Sequence, residues 1–108
     1  MTLQQLQAEY LLIKAIIDQK WPIKEKNQRV FARTMKLVEE LGELADELLS
    51  SMNLQRQDKQ EAFHDQKVED EFADLMASAV LLAVELDIDI AAVMKRKIEY
   101  TKKRLTAE

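Results

Sequence analysis

An all-α fold is predicted, and three observations carry that expectation. Glycine and proline each occur once in 108 residues, so tight turns are few and the regular elements long. The good helix formers Ala, Leu, Glu, Lys and Gln are abundant. Apolar residues return every three or four positions along four separate stretches, which is the spacing of one helix face. β-branched residues are sparse and rarely alternate with polar ones, as a half-buried strand would need.

The first helix carries Leu3, Leu6, Tyr10, Ile13 and Ile17 on one face and stops before Trp21-Pro22. A residue that precedes proline avoids helical dihedrals. After a short connection, Pro22 to Asn27, a second helix is expected from about Gln28 to Met52, with Leu37, Leu41, Leu44 and Leu48 as its stripe. Residues 50–67 are polar and without a clear period. They read as a loop, with room for one helical turn near Glu61–His64. A third helix covers roughly Val68 to Leu86, striped by Val68, Phe72, Leu75, Ala79 and Leu82. Asp87 or Asp89 can cap the fourth by accepting from its first free amides. Ile90, Val93, Met94, Ile98 and Leu105 form that helix's apolar face, and Lys97, Lys102, Lys103 and Arg104 suit its negative end. The expected architecture is a four-helix bundle in a single domain, 1–108. Wide apolar stripes on so short a chain leave apolar surface on one copy, so a homodimer or homotetramer is expected.

Hydrophobic residues make up 47% and charged residues 33%, a balance that suits a folded chain and not a disordered one. The net charge of −4 runs against a general nucleic-acid binder, so no nucleic-acid polymer is expected as a partner. Without cysteine there is neither a disulfide nor a thiolate metal site. No apolar run reaches the length of a membrane span. The opening Met1-Thr2-Leu3-Gln4-Gln5 lacks the form of a signal peptide, and the expected location is cytoplasmic.

The chemistry-bearing residues are carboxylates. Glu40 and Glu43 stand three apart, as do Glu71 and Asp74, which places each pair on adjacent turns of one helix face. With Leu37 and Val68 as the zero of each helix, Glu40 and Glu71 both fall about 60° to one side, and Glu43 and Asp74 about 120°. The two helices repeat one pattern at an offset of 31 residues, Glu40 to Glu71. If their stripes pack together, parallel or antiparallel, four carboxylates converge at one edge of the core. So close a set repels itself unless a cation or protons intervene. Hard oxygen ligands without His or Cys favour Mg²⁺, with Mn²⁺ as a substitute, over zinc. The Glu-x-x-His pairs of di-iron bundles are absent. Magnesium held by a few carboxylates usually completes its shell with phosphate oxygens and water. The expected reaction class is metal-assisted phosphoanhydride hydrolysis. Glutamates at helical spacing are more often a solvated face. Two matched pairs bordering two apolar stripes are less ordinary.

Val38-Glu39-Glu40-Leu41-Gly42-Glu43-Leu44 followed by Glu71-Phe72-Ala73-Asp74 resembles the signature of the MazG-like, all-α nucleoside triphosphate pyrophosphohydrolases: Glu-Glu-x-x-Glu, a spacer, then Glu-x-x-Asp. The stretch from Leu86 through Lys97 and Arg104 also looks like that family's capping turn and last helix, so the likeness spans about Phe31 to Arg104. The resemblance implies a Mg²⁺-dependent enzyme that turns a (d)NTP and water into a (d)NMP and pyrophosphate, a reaction suited to clearing the nucleotide pool. It maps the metal ligands, and with them the catalytic centre, onto Glu40, Glu43, Glu71 and Asp74. Glu39, on another side of the helix, reads equally as a group that positions water or as a surface glutamate. Lys97 and Arg104 become phosphate candidates by the same resemblance. Thr101 stands where the family often has Asn.

Lys36, Arg33 and Arg29 share the flank of Glu40 and Glu43 and can meet a triphosphate or merely offset the acids. Trp21 suits stacking on a base as well as packing at a core or interface. Gly42, inside a helix where glycine costs about 1 kcal/mol against alanine, suggests a close backbone approach by another helix or a ligand. His64, the only histidine, sits in the polar loop and is given no role.

Two relatives within the superfamily compete, phosphoribosyl-ATP pyrophosphohydrolase and a dUTPase-like enzyme. The first would carry a Tyr-His pair soon after the Asp, whereas Asp74 is followed by Leu75-Met76-Ala77-Ser78. A rival from another class is a non-catalytic helical module for oligomerisation or nucleotide sensing.

Overall fold

A computed structural model describes residues 1–52 and 65–107. Among the described residues four helices follow one another: α1 (Leu3–Lys20), α2 (Lys26–Ser51), α3 (Asp65–Glu85) and α4 (Ile90–Thr106). There is no strand among the described residues. The expected turn near Glu61–His64 lies outside them, and the segment expected as a loop from Ser50 is helical as far as Ser51.

The boundaries have local causes. Thr2 accepts from the Gln5 amide while the Gln5 side chain accepts from the Thr2 amide, a capping box that starts α1. Trp21 donates its last helical bond to Ile17 O, and Pro22 prevents continuation. α3 ends in a Schellman turn: Ile88 N donates to Ala83 O and Asp87 N to Val84 O, with Asp87 in the left-handed region at φ 58°. Glycine usually fills that position, and aspartate tolerates it better than most other residues. Of the two aspartates offered as caps for α4, Asp89 does the capping, accepting from Ala92 N. Asp87 instead meets Lys26 Nζ at 3.0 Å. Gln7 bonds both Ile88 O and Ile90 N and so ties α1 to the α3–α4 turn.

α2 and α3 form the main packed pair. They run antiparallel, because Arg29 near the start of α2 meets Glu85 at the end of α3, and Glu47 late in α2 meets Lys67 early in α3. α1 lies against α3, and α4 packs on α1. Among the described residues, the buried apolar side chains are Leu44, Val80 and Val84.

The expected stripes need correction. Of Leu37, Leu41, Leu44 and Leu48, only Leu44 is buried, and Leu41 and Phe72 are each 55% exposed. The reason is rotational: α2 turns the side bearing Arg33, Glu40, Leu44 and Glu47 inward, and the side bearing Val38 and Leu41 outward. Leu11, Leu12 and Ile16 on α1 are exposed as well, as are Met94 and Ile98 on α4. The radius of gyration is 17.1 Å, against about 13 Å for a compact chain of 100 residues. Within the chain no other helix closes on Gly42, since a Cβ built there meets nothing within 4 Å. No helix among the described residues is long and apolar enough to cross a membrane.

Candidate functional site

The α2–α3 interface holds a polar seam. Arg33, Glu40 and Glu47 recur at steps of seven on α2, and Glu71, Ser78 and Glu85 do so on α3. All six are buried or half-buried. Seven residues are nearly two helical turns, so each set forms one line along its helix, and antiparallel packing sets the lines against each other.

Charge is balanced at both ends of the seam and not in its middle. At one end Glu85, 3% exposed, faces Arg29, Lys14 and Arg33 at 3.2, 3.6 and 3.8 Å. At the other, Glu47 meets Lys67 at 2.9 Å and holds that ammonium above its ordinary pKa. Between them, single oxygens of Glu40, Glu43 and Glu71 all lie within 4.8 Å of one another. Lys36 Nζ approaches Glu40 Oε1 at 3.2 Å, and among the described residues no cation lies within 4.0 Å of Glu43 or Glu71, though Lys67 also feels the Glu71 charge. Glu40 Oε2 and Glu71 Oε2 are buried without a hydrogen-bond partner. A buried carboxylate oxygen without a donor costs desolvation free energy that nothing offsets.

The electrostatics carry the same mark. The negative charge of Glu40, then partial burial, then the charge of Glu71 push the Glu43 carboxyl above the ordinary range. Hydrogen bonding to Glu40, assisted by Glu39, raises Lys36. The arrangement can accept a hard cation through three carboxylates on two helices, with ligand oxygens already oriented by the helix backbones.

The expected ligands are thus brought together in part. Glu40, Glu43 and Glu71 form the cluster. Asp74 stands outside that trio and lines an adjoining cavity of about 430 Å³ together with Glu40, Lys36, Arg33, Ser78 and Trp21. Lys36 and Trp21, read from the sequence as substrate contacts, therefore border the same space as two of the expected ligands. Glu39 is exposed, turned from the cluster and paired with Lys36 at 3.4 Å. Lys97 and Arg104 do not line this cavity; α4 packs on α1, and Lys97 sits 5.2 Å from the Tyr100 ring. His64 lies outside the described residues.

Sequence reasoning passed over Ser78, Asp18 and Glu85. The seven-residue recurrence Glu71, Ser78, Glu85, matched by Arg33, Glu40, Glu47, is the signal that would have found Ser78 and Glu85. No comparable signal exists for Asp18, which comes from α1 and meets Arg33 at 3.0 Å.

A scan against protein-family models, a search of curated proteins and a search of solved structures return no match to this chain.

Proposed function

We propose that the protein is a divalent-cation-dependent nucleoside triphosphate pyrophosphohydrolase of the MazG-like kind, using Mg²⁺ or, in its place, Mn²⁺. The observation that carries the reading is the excess of acid in the middle of the seam: Glu40, Glu43 and Glu71 gathered within 4.8 Å, with buried oxygens on Glu40 and Glu71 that have no partner. The donor set fits a hard cation, which needs carboxylate oxygens and no sulfur or imidazole. When bound, such an ion screens phosphate charge and activates water for attack.

The chain's own residues supply the rest. Glu40, Glu43 and Glu71 hold the ion, and Asp74, on the cavity wall next to Glu40, extends the acidic set toward the phosphates. Lys36 offers its ammonium to the triphosphate and balances Glu40 before substrate arrives. Trp21, 67% exposed on the cavity rim, presents a flat face to a base. In this reading water attacks the α-phosphorus, the α–β bridge P–O bond breaks, and pyrophosphate departs with that bridging oxygen. Nucleoside monophosphate is the other product.

The protein works as a homodimer or homotetramer in this reading. The exposed faces around Leu41 and Phe72, Leu12 and Ile16, and Met94 and Ile98 support it, because apolar surface of this extent favours burial against another copy.

A screen of the common dNTPs and NTPs for pyrophosphate release, with Mg²⁺ and then Mn²⁺, tests the activity. Metal-dependent turnover of at least one of them is expected. Absence of pyrophosphate from all, with either ion, would leave a non-catalytic helical module.

A further inference from the structure

Among the described residues Glu85 is the most enclosed charge, and it has no part in the cation cluster. It lies eleven residues beyond Asp74 on α3, about 16 Å along the helix axis. Its carboxylate is 3% exposed and receives Arg29 Nε at 3.2 Å on both oxygens, with Lys14 and Arg33 near Oε1. Asp18 on α1 shares two of those cations, accepting from Arg33 Nη2 at 3.0 Å and from Lys14. Burial works against the Asp18 charge, but Lys14 and Arg33 outweigh it and hold the carboxyl below its ordinary range. Two acids and three bases from three helices thus form one knot.

For stability alone such a knot is poorly explained, since buried ion pairs seldom beat well-packed apolar residues. What it touches is more informative. Arg33 lines the cavity that Glu40 and Asp74 also line, and its Nε–H is buried without an acceptor. Arg29 reaches from Glu85 to the carbonyls of Ile23 and Lys24 at 2.7 and 2.9 Å, gripping the turn that follows Trp21. One carboxylate therefore holds both a cavity-lining guanidinium and the turn beside a cavity-lining indole.

We propose that Glu85 is a positioning residue for the nucleotide. It fixes the Arg33 guanidinium on the cavity wall, where a phosphate oxygen can meet it, and through Arg29 it sets the turn that carries Trp21. This rests on the nucleotide reading of the cavity. Arg33 becomes a substrate contact, hydrogen-bonded by Asp18 at 3.0 Å and drawn by the Glu85 charge at 3.8 Å. The cavity wall formed by Arg33 and the Trp21 turn is preorganised, so losses there fall on substrate binding and not on the chemical step.

The test uses the full chain with Mg²⁺ and dNTP analogues whose α and β phosphates are joined by an imido bridge. Binding is read from Trp21, the only tryptophan, and by calorimetry. Wild type should bind at least one analogue saturably, and Glu85→Gln should weaken that binding about tenfold. With the matching dNTP, Glu85→Gln should raise KM about tenfold and keep kcat within about twofold. Asp18→Asn, which weakens the 3.0 Å pair with Arg33, should shift Kd in the same direction, and it decides the matter with Arg33→Gln if Glu85→Gln does not fold by circular dichroism. Wild-type affinity in the folded variants, or a fall in kcat with KM unchanged, overturns the positioning role while leaving the nucleotide reading intact. Failure of the wild type to bind any analogue by either readout overturns the nucleotide reading and this inference with it.

Discussion

Lys36 Nζ lies 3.2 Å from Glu40 Oε1, while the other oxygen of the same carboxylate is buried with no partner at all. One half of Glu40 is thus balanced from the rim of the site and the other half faces inward toward Glu43 and Glu71. Lys36 is itself about half exposed, and such pairs contribute little, about 0–1 kcal/mol. Lys36→Gln should accordingly lower stability by no more than about 1 kcal/mol in chelator, and the difference should vanish at saturating Mg²⁺. Thermal melts of the two proteins with EDTA and with Mg²⁺ check this; a difference that persists in Mg²⁺ would separate Lys36 from the cation cluster.

Removing a ligand should be far more damaging than removing Lys36. Loss of a group that merely orients a metal ligand costs about 10–100-fold, so Glu43→Ala, which removes a ligand, should reduce turnover by at least about 100-fold, and Asp74→Ala, which removes the acid beside the ligands, by about 10–100-fold. Helicity should be retained, because both side chains are exposed and neither helix depends on them. Pyrophosphate assays beside far-UV circular dichroism decide it. Wild-type turnover in either variant contradicts that residue's assignment.

The pH dependence of the metal-free protein follows from Glu43. Its carboxyl is raised by Glu40, by partial burial and by Glu71, so the folded state prefers it protonated. That contribution to stability is complete below the ordinary carboxylate range and is lost as pH rises through the raised value. Measured in EDTA, Tm of Glu43→Gln relative to wild type should therefore climb between the ordinary carboxylate range and neutrality. A pH-independent difference would mean that Glu43 does not feel its neighbours.

Gly42→Ala should stabilise the protein by about 0.5–1 kcal/mol, because alanine is the better helix former and its Cβ meets nothing within 4 Å. Denaturant melts measure it. Destabilisation would point to a neighbour from another copy at this face.

The helices were legible in the sequence, and the site only partly. Periodicity, Pro22 and the Asp89 cap located all four elements, with α2 and α3 beginning two and three residues earlier than expected. The spacing of Glu40, Glu43 and Glu71 was enough to foresee that they could meet. The rotation of the helices was not legible, because α2 offers two candidate faces. The leucine stripe suggested that Leu41 and Phe72 face each other, yet both are exposed, and the polar seam is the side turned inward. Arg33, Glu47 and Glu85 on that seam find their partners in distant parts of the chain, as Arg33 does in Asp18 and Glu85, and pairings of that kind have no local signature.

The outward leucine and phenylalanine faces give the assembly its test. Light scattering should report a dimer or tetramer for wild type and a smaller species for Leu41→Glu or Phe72→Glu, since a charge at a buried apolar contact is costly. A monomeric wild type would contradict the proposed assembly.

The account stands most directly on cation binding by the α2–α3 cluster. Mn²⁺ titration followed by loss of the free-ion electron paramagnetic resonance signal measures it without any assumption about substrate. Saturable binding in wild type, abolished in Glu71→Gln and displaced by excess Mg²⁺, is the expected result. Wild type that binds no Mn²⁺, or Glu71→Gln that binds it as wild type does, would contradict the cluster as a cation site.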